Sequence, residues 1–335
     1  MRIFQLFFMI FTLLLMACGG GSSGSNGSNN SSSTATSDNF NYRLVTDIDI
    51  NNVKTEWATR DLSAKDVRVV YEQTTEHYKV NIFEHTLGLH KHYGAVVVPI
   101  NASKKSFPVV VSPSGLDQEN PSISLENNLG YYNYNYVMVI PAFRGMTLRY
   151  QAVSFFSGGD FCDAWDGATD DTIALLNVVE AHTPEADMQK VLVSGYSRGG
   201  NVALLMAERD SRIKVVVAGA GPVDFYRQEV ANRYGYQYTC QFITGKTEAE
   251  SRQRMLASSP LYFNILPNVE KVYLFQGGAD FIVPQWNGDA MNVYLLAQQI
   301  DVNYYLYPNL RHDNVFRDEI FVTDWNNAHK GFDTD

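Results

Sequence analysis

Apolar positions fall into three regimes along this chain. From residue 3 to 15 they run almost unbroken, interrupted only by Gln5 and Thr12. Between residues 38 and 106, β-branched and aromatic runs at 67–71, 77–83 and 93–98 are punctuated by Gly88 and Gly94. That pattern predicts an antiparallel edge of short strands. Further on, continuous apolar runs recur at 109–112, 136–141, 191–194, 213–218, 272–276 and 302–307. Strands apolar on both faces belong to a parallel sheet covered by helices on each side. The covers are legible: Ile173, Leu176 and Val179 share a face of a helix over 172–180, with Thr169 and Asp170 as cap candidates, and Val202, Leu205 and Met206 do the same over 201–209. The fold class is therefore α/β. In an open parallel sheet, catalytic groups gather at the carboxyl ends of the strands, so the loops after these runs are where chemistry is sought.

The first apolar run follows Met1-Arg2 and leads into Leu15-Met16-Ala17-Cys18, which makes a positive segment, a short apolar segment and a small-residue cleavage site. At about 13 residues it is shorter than the roughly 20 needed to span a bilayer, so residues 1–18 read as an export signal. Leu-Met-Ala-Cys resembles the lipobox of bacterial lipoproteins. That resemblance implies acylation of Cys18 and a chain held to the bacterial cell envelope, at the outer membrane or periplasmic face, by lipid alone. Residues 19–37 are almost wholly Gly, Ser, Asn and Thr and read as a flexible tether. Residues 38–335 remain for one catalytic domain with insertions.

Charge narrows the function. With a net charge of -10 and no block of Lys or Arg, the chain has no electrostatic footprint for nucleic acid. Of its three cysteines Cys18 goes to the lipid, leaving Cys162 and Cys240 as a candidate disulfide in a compartment that permits one, or else as two separately buried thiols. His90 and His92 would share a strand face, but such a pair is ordinary polar surface more often than a zinc site, and no cofactor or metal is expected.

The run at 191–194 leads directly into Gly195-Tyr196-Ser197-Arg198-Gly199-Gly200 and then the 201–209 helix. This is G-x-S-x-G where a strand turns sharply into a helix, the context that presents a nucleophilic serine. Context matters, because Gly20-Gly21-Ser22-Ser23-Gly24 matches the same pattern inside the tether. A serine hydroxyl needs a base to take its proton and a carboxylate to orient the base. In chain order serine, acid, histidine, the base is His312, after the last run, whereas His329 lies past any strand. The acid is Asp280, after the run at 272–276, with Asp224, after the preceding run, as its rival. Two backbone N–H groups must face the developing oxyanion. Arg198, next to the nucleophile, and Leu116, in Ser112-Pro113-Ser114-Gly115-Leu116, are the candidates.

The segments Phe107-Pro108-Val109-Val110-Val111, Ile140-Pro141-Ala142-Phe143-Arg144-Gly145, Gly195 to Gly200, Ser259-Pro260-Leu261, Gly278-Ala279-Asp280-Phe281-Ile282-Val283-Pro284 and Tyr307-Pro308-Asn309-Leu310-Arg311-His312 together resemble the catalytic domain of the prolyl oligopeptidase family of serine peptidases, and to a lesser degree the dienelactone hydrolases. The resemblance implies an α/β-hydrolase fold, a mostly parallel central sheet with helices on both faces, acting on a peptide, small-molecule or acyl-ester substrate. One departure stands out. Peptidases of that family usually carry a β-propeller, and residues 38–106 are too few for one. Residues 225–258, rich in Tyr, Gln and Arg, instead form a lid-like insertion whose Tyr226, Tyr234, Tyr236 and Tyr238 either line the cleft over Ser197 or pack the insertion onto the sheet. Three functions follow: a serine hydrolase cutting an amide, an esterase, and a lipid-tethered binding protein on an inactive scaffold.

Overall fold

The computed structural model describes residues 43–330 and 332, apart from 101, 102, 131 and 133. The export signal, Cys18 and the tether lie outside the described residues. In chain order the elements are α1 (Asp47–Thr59), β1 (Lys65–Thr74), β2 (Tyr78–Leu87), β3 (His90–Pro99), β4 (Phe107–Val111), β5 (Ser122–Ser124), α2 (Leu125–Leu129), β6 (Val137–Ala142), β7 (Thr147–Tyr150), β8 (Val153–Phe156), α3 (Asp166–His182), β9 (Ala186–Tyr196), α4 (Arg198–Arg209), β10 (Ile213–Gly219), α5 (Gln228–Tyr238), α6 (Glu248–Ala257), β11 (Lys271–Gly277), α7 (Trp286–Ala297), β12 (Val302–Tyr307) and α8 (Glu319–Lys330).

One sheet of nine strands runs in the order β1-β2-β3-β6-β4-β9-β10-β11-β12. The predicted edge is there: β1, β2, β3 and β6 pair antiparallel, and from β6 to β12 every pairing is parallel. The six apolar runs are β4, β6, β9, β10, β11 and β12, and β6, with α3 packed against it, is buried at every residue. The chain leaves β4 for β6 on one side and returns to β9 on the other, so the ends of β4 and β9 flank the point where strand order reverses. Ligand sites open at such points. A second, three-stranded sheet of β5, β7 and β8 has no counterpart in the sequence reading.

Two helices depart from expectation. The helix predicted over 172–180 begins at Asp166, and Thr169 and Asp170 do not cap it. Asp166 and Asp170 sit inside the helix and pair with Arg60 at 2.7 and 2.9 Å, and Arg209 reaches both aspartates as well. Burial pushes the Asp170 carboxyl up to about 6 against the pull of Arg209. The second departure is α1, in a region read as strands only. A reciprocal capping box starts it: Thr46 Oγ1 accepts the Asp49 N–H at 3.4 Å and the Asp49 carboxylate accepts the Thr46 N–H at 2.9 Å. Asp49 also pairs with Arg252 of α6 at 2.8 Å, which docks α1 on the 225–258 insertion.

That insertion holds α5 and α6 and has a core of its own, in which Phe225, Tyr226, Val230, Tyr238, Phe242, Met255 and Leu256 pack with Val53 of α1 and with Trp165. The four tyrosines therefore divide: Tyr226 and Tyr238 are core, Tyr236 is exposed, and Tyr234 packs on Trp165 and Phe225. Cys162 and Cys240 form the expected disulfide, Cα atoms 5.5 Å apart, tying the loop before α3 to the insertion.

Glu208, on α4, is 7% exposed, and neither carboxyl oxygen has a hydrogen-bond partner. Burial raises its pKa well above the ordinary value, opposed only in part by Arg209 and Lys54. The folded state thus holds this proton more tightly than the unfolded chain. Its stabilising share is complete below about pH 4.5 and is lost as pH rises through the folded value. Glu208→Met is expected to raise Tm already at pH 4, where the protonated carboxyl is buried without a partner at a cost of about 1–3 kcal/mol, and to raise it further at neutral and alkaline pH. A Tm–pH series checks both arms.

Candidate active site

β9 hands the chain to α4 through Ser197, whose φ is +59°. A non-glycine residue is held there only when its surroundings over-determine it. They do so here. The Ser197 N–H donates to Gly219 O of the neighbouring strand at 2.8 Å. A Cβ on Gly195 would collide with the Gly199 backbone, and one on Gly199 with the Pro113 carbonyl. The turn can therefore be this tight only with glycine on both sides.

Asp280 and His312 come together because the loops after β11 and β12 are knitted to each other. Gly278 N–H donates to Tyr307 O at 2.8 Å and Ala279 N–H to Leu310 O at 3.1 Å. The Asp280 carboxylate is buried, with Oδ1 accepting the N–H groups of Ile282 and Val283 at 2.9 and 2.8 Å. Its Oδ2 stands 2.7 Å from His312 Nδ1. The bond fixes the ring through Nδ1 and leaves Nε2 without a hydrogen-bond partner among the described residues. Tyr196 steadies the same loop: its hydroxyl donates to His312 O at 3.3 Å, and its ring lies 5.0 Å from the imidazole. The sequence reading passed over Tyr196, which stood there as one of the motif's variable positions.

The rival acid is occupied elsewhere. Asp224 Oδ1 accepts the Tyr226 N–H at 2.9 Å and the Tyr262 hydroxyl at 3.1 Å, and burial pushes its pKa up to about 6. His329 lies on α8, where Nδ1 donates to Trp325 O at 2.7 Å. His92 is buried, 3.5 Å from Asp171, while His90 is exposed. Among the described residues no group of three or more His, Cys, Asp or Glu side chains is placed to hold a metal ion.

Gly115 adjoins the serine: a Cβ on it would lie 3.9 Å from Ser197 Cβ. Leu116 follows, packed against the core of the insertion. Neither the Arg198 N–H nor the Leu116 N–H has an acceptor among the described residues, and no hydrogen bond joins Ser197 Oγ to His312 Nε2. Contacts between a nucleophile and its base commonly tighten only when substrate arrives. Close by, burial and the Asp280 charge hold the Tyr234 phenol above its usual pKa.

A mostly parallel sheet whose ninth strand ends in such an elbow is the α/β-hydrolase fold, and the chain is a serine hydrolase. Residues 124–331 match the model of the prolyl oligopeptidase family, and the chain belongs to that family. A search of curated proteins finds no match. Solved structures resemble it in fold. Acetyl xylan esterase 1 from Thermoanaerobacterium sp. JW/SL YS485 is 16% identical with a TM-score of 0.58, over 84% of this chain and 93% of that one. An S-formylglutathione hydrolase from Agrobacterium tumefaciens is 16% identical with a TM-score of 0.53, over 79% and 99%. Pyrococcus horikoshii acylaminoacyl peptidase is 13% identical with a TM-score of 0.50, over 74% of this chain and 46% of that one.

Proposed function

We propose that the chain cleaves an ester or amide bond through an acyl-enzyme, with Ser197 as nucleophile, His312 as general base and Asp280 as the group that orients the base. The 2.7 Å contact between Asp280 and His312, made by loops neighbouring the Ser197 elbow, carries this reading. His312 Nε2 takes the Ser197 proton as Oγ attacks the carbonyl carbon. The oxyanion accepts hydrogen bonds from the Arg198 and Leu116 N–H groups. On collapse the leaving alcohol or amine takes the proton from His312, and water then repeats the sequence to free the acid and regenerate Ser197. Asp280 holds the His312 ring in place throughout.

The export signal, the Cys18 lipobox and the tether support an enzyme anchored by lipid to the cell envelope, and a disulfide fits an oxidising compartment. The insertion, against whose core Leu116 packs beside the serine, is the element proposed to select substrates. The test sets p-nitrophenyl acetate against a panel of proline-containing amides. An acyl-enzyme route predicts a burst of nitrophenolate followed by steady turnover, and whichever panel is turned over faster assigns the substrate class. A folded chain that cleaves neither substrate would contradict the proposal.

A further inference from the structure

Arg198 is 1% exposed, yet among the described residues no carboxylate stands within ion-pair distance of it. The inward-set arginines Arg144, Arg209, Arg212 and Arg252, by contrast, each face aspartates. Burying a cation without a counter-charge is costly unless its donors are satisfied, and the Arg198 fork is satisfied almost entirely by one short loop. Nε donates to Ser114 O at 3.2 Å, and Nη2 to Gly115 O at 2.5 Å and to Ser114 Oγ at 3.1 Å. Met146 Sδ lies 3.1 Å from Nη2, and the Phe143 ring sits under the guanidinium at 4.5 Å. Both acceptor carbonyls precede Leu116, whose N–H belongs to the peptide unit of Gly115 O. Fixing that oxygen fixes the plane, and hence the direction, of the N–H.

From this geometry we propose that the Arg198 side chain is a positioning group for the oxyanion site: it locks the Gly115–Leu116 peptide so that the Leu116 N–H converges with the N–H of Arg198 itself. One residue then supplies one donor directly and aims the other across 82 positions of chain. The planar fork matters, because a lysine ammonium is a single point that cannot hold both carbonyls in fixed orientation. The inference rests on the catalytic reading above and refines it.

The experiment compares Arg198→Lys and Arg198→Met with the unaltered full chain on one ester, measuring kcat, KM and the affinity of a trifluoromethyl ketone, which forms the tetrahedral adduct. Losing an oxyanion donor outright costs about 100- to 1,000-fold. A donor misaimed but present is therefore expected to cost on the order of 10- to 100-fold in kcat for Arg198→Met and less for Arg198→Lys. KM should stay within about threefold, and ketone affinity should fall in step with kcat/KM. A folded Arg198→Met with unchanged kcat overturns the proposal, and so does a kcat loss with undiminished ketone affinity. If the Met variant does not fold, the Lys variant decides by the same two readouts. Ser197→Ala runs alongside: unaltered turnover there would sink the catalytic reading itself, whereas its loss with Arg198 indifferent would sink only the positioning role.

Discussion

Ser197→Ala and His312→Ala are each expected to lower kcat by about 10⁴- to 10⁶-fold, or roughly 5–8 kcal/mol of barrier, while the protein folds normally. Without Oγ there is nothing to acylate, and without the imidazole the hydroxyl stays a neutral, poor nucleophile. Because the two act in one proton transfer, the double variant is expected to be little worse than either single one. The Ser197 backbone is held at φ +59° by its glycine neighbours and by the bond to Gly219 O, neither of which needs the hydroxyl. Circular dichroism and Tm should therefore be unchanged. Measurable kcat in Ser197→Ala at a hundredth of the starting rate would mean that another nucleophile does the work.

Asp280→Asn is expected to cost about 10⁴-fold in kcat, by presenting an amide where His312 needs a carboxylate and so favouring the wrong imidazole tautomer. Oδ1 keeps its two backbone donors in that variant, so the loop stays in place. Asp224→Asn is expected to change kcat by no more than a few-fold, since Asp224 serves Tyr226 and Tyr262. Parallel kinetics on the two Asn variants decide between the carboxylates, and a more damaging Asp224→Asn would reverse the assignment.

The parts of the fold legible in the sequence were those whose signal is local. Strands β4, β6, β9, β10 and β11 announce themselves because burial on both faces demands apolar runs, whereas β12, half-buried at the sheet's edge, is marked by its Val, Tyr and Leu side chains. Ser197, His312 and Asp280 stand out because each follows such a run. What escaped depends on partners far along the chain. Thr169 and Asp170 looked like helix caps, yet both lie inside the helix, where Asp170 pairs with Arg60 and Arg209. Helix α1 turns a buried Asp49 inward and leaves Ile48 exposed, which inverts the usual amphipathic pattern, so only its capping box at Thr46 and Asp49 could have revealed it. Of the four tyrosines left open between lining the cleft and packing the insertion, Tyr226 and Tyr238 belong to a second core that includes Val53 of α1. The motif's variable positions, Tyr196 and Arg198, turned out to touch His312 and the Ser114–Gly115 loop, contacts no spacing rule could supply.

The central claim is that Ser197 is the nucleophile. Its most direct test is labelling of the full chain with a fluorophosphonate, followed by mass spectrometry of the digested protein. The account predicts one adduct, on Ser197, that is absent from Ser197→Ala and strongly reduced in His312→Ala. An adduct on any other residue, or undiminished labelling of Ser197→Ala, would contradict it.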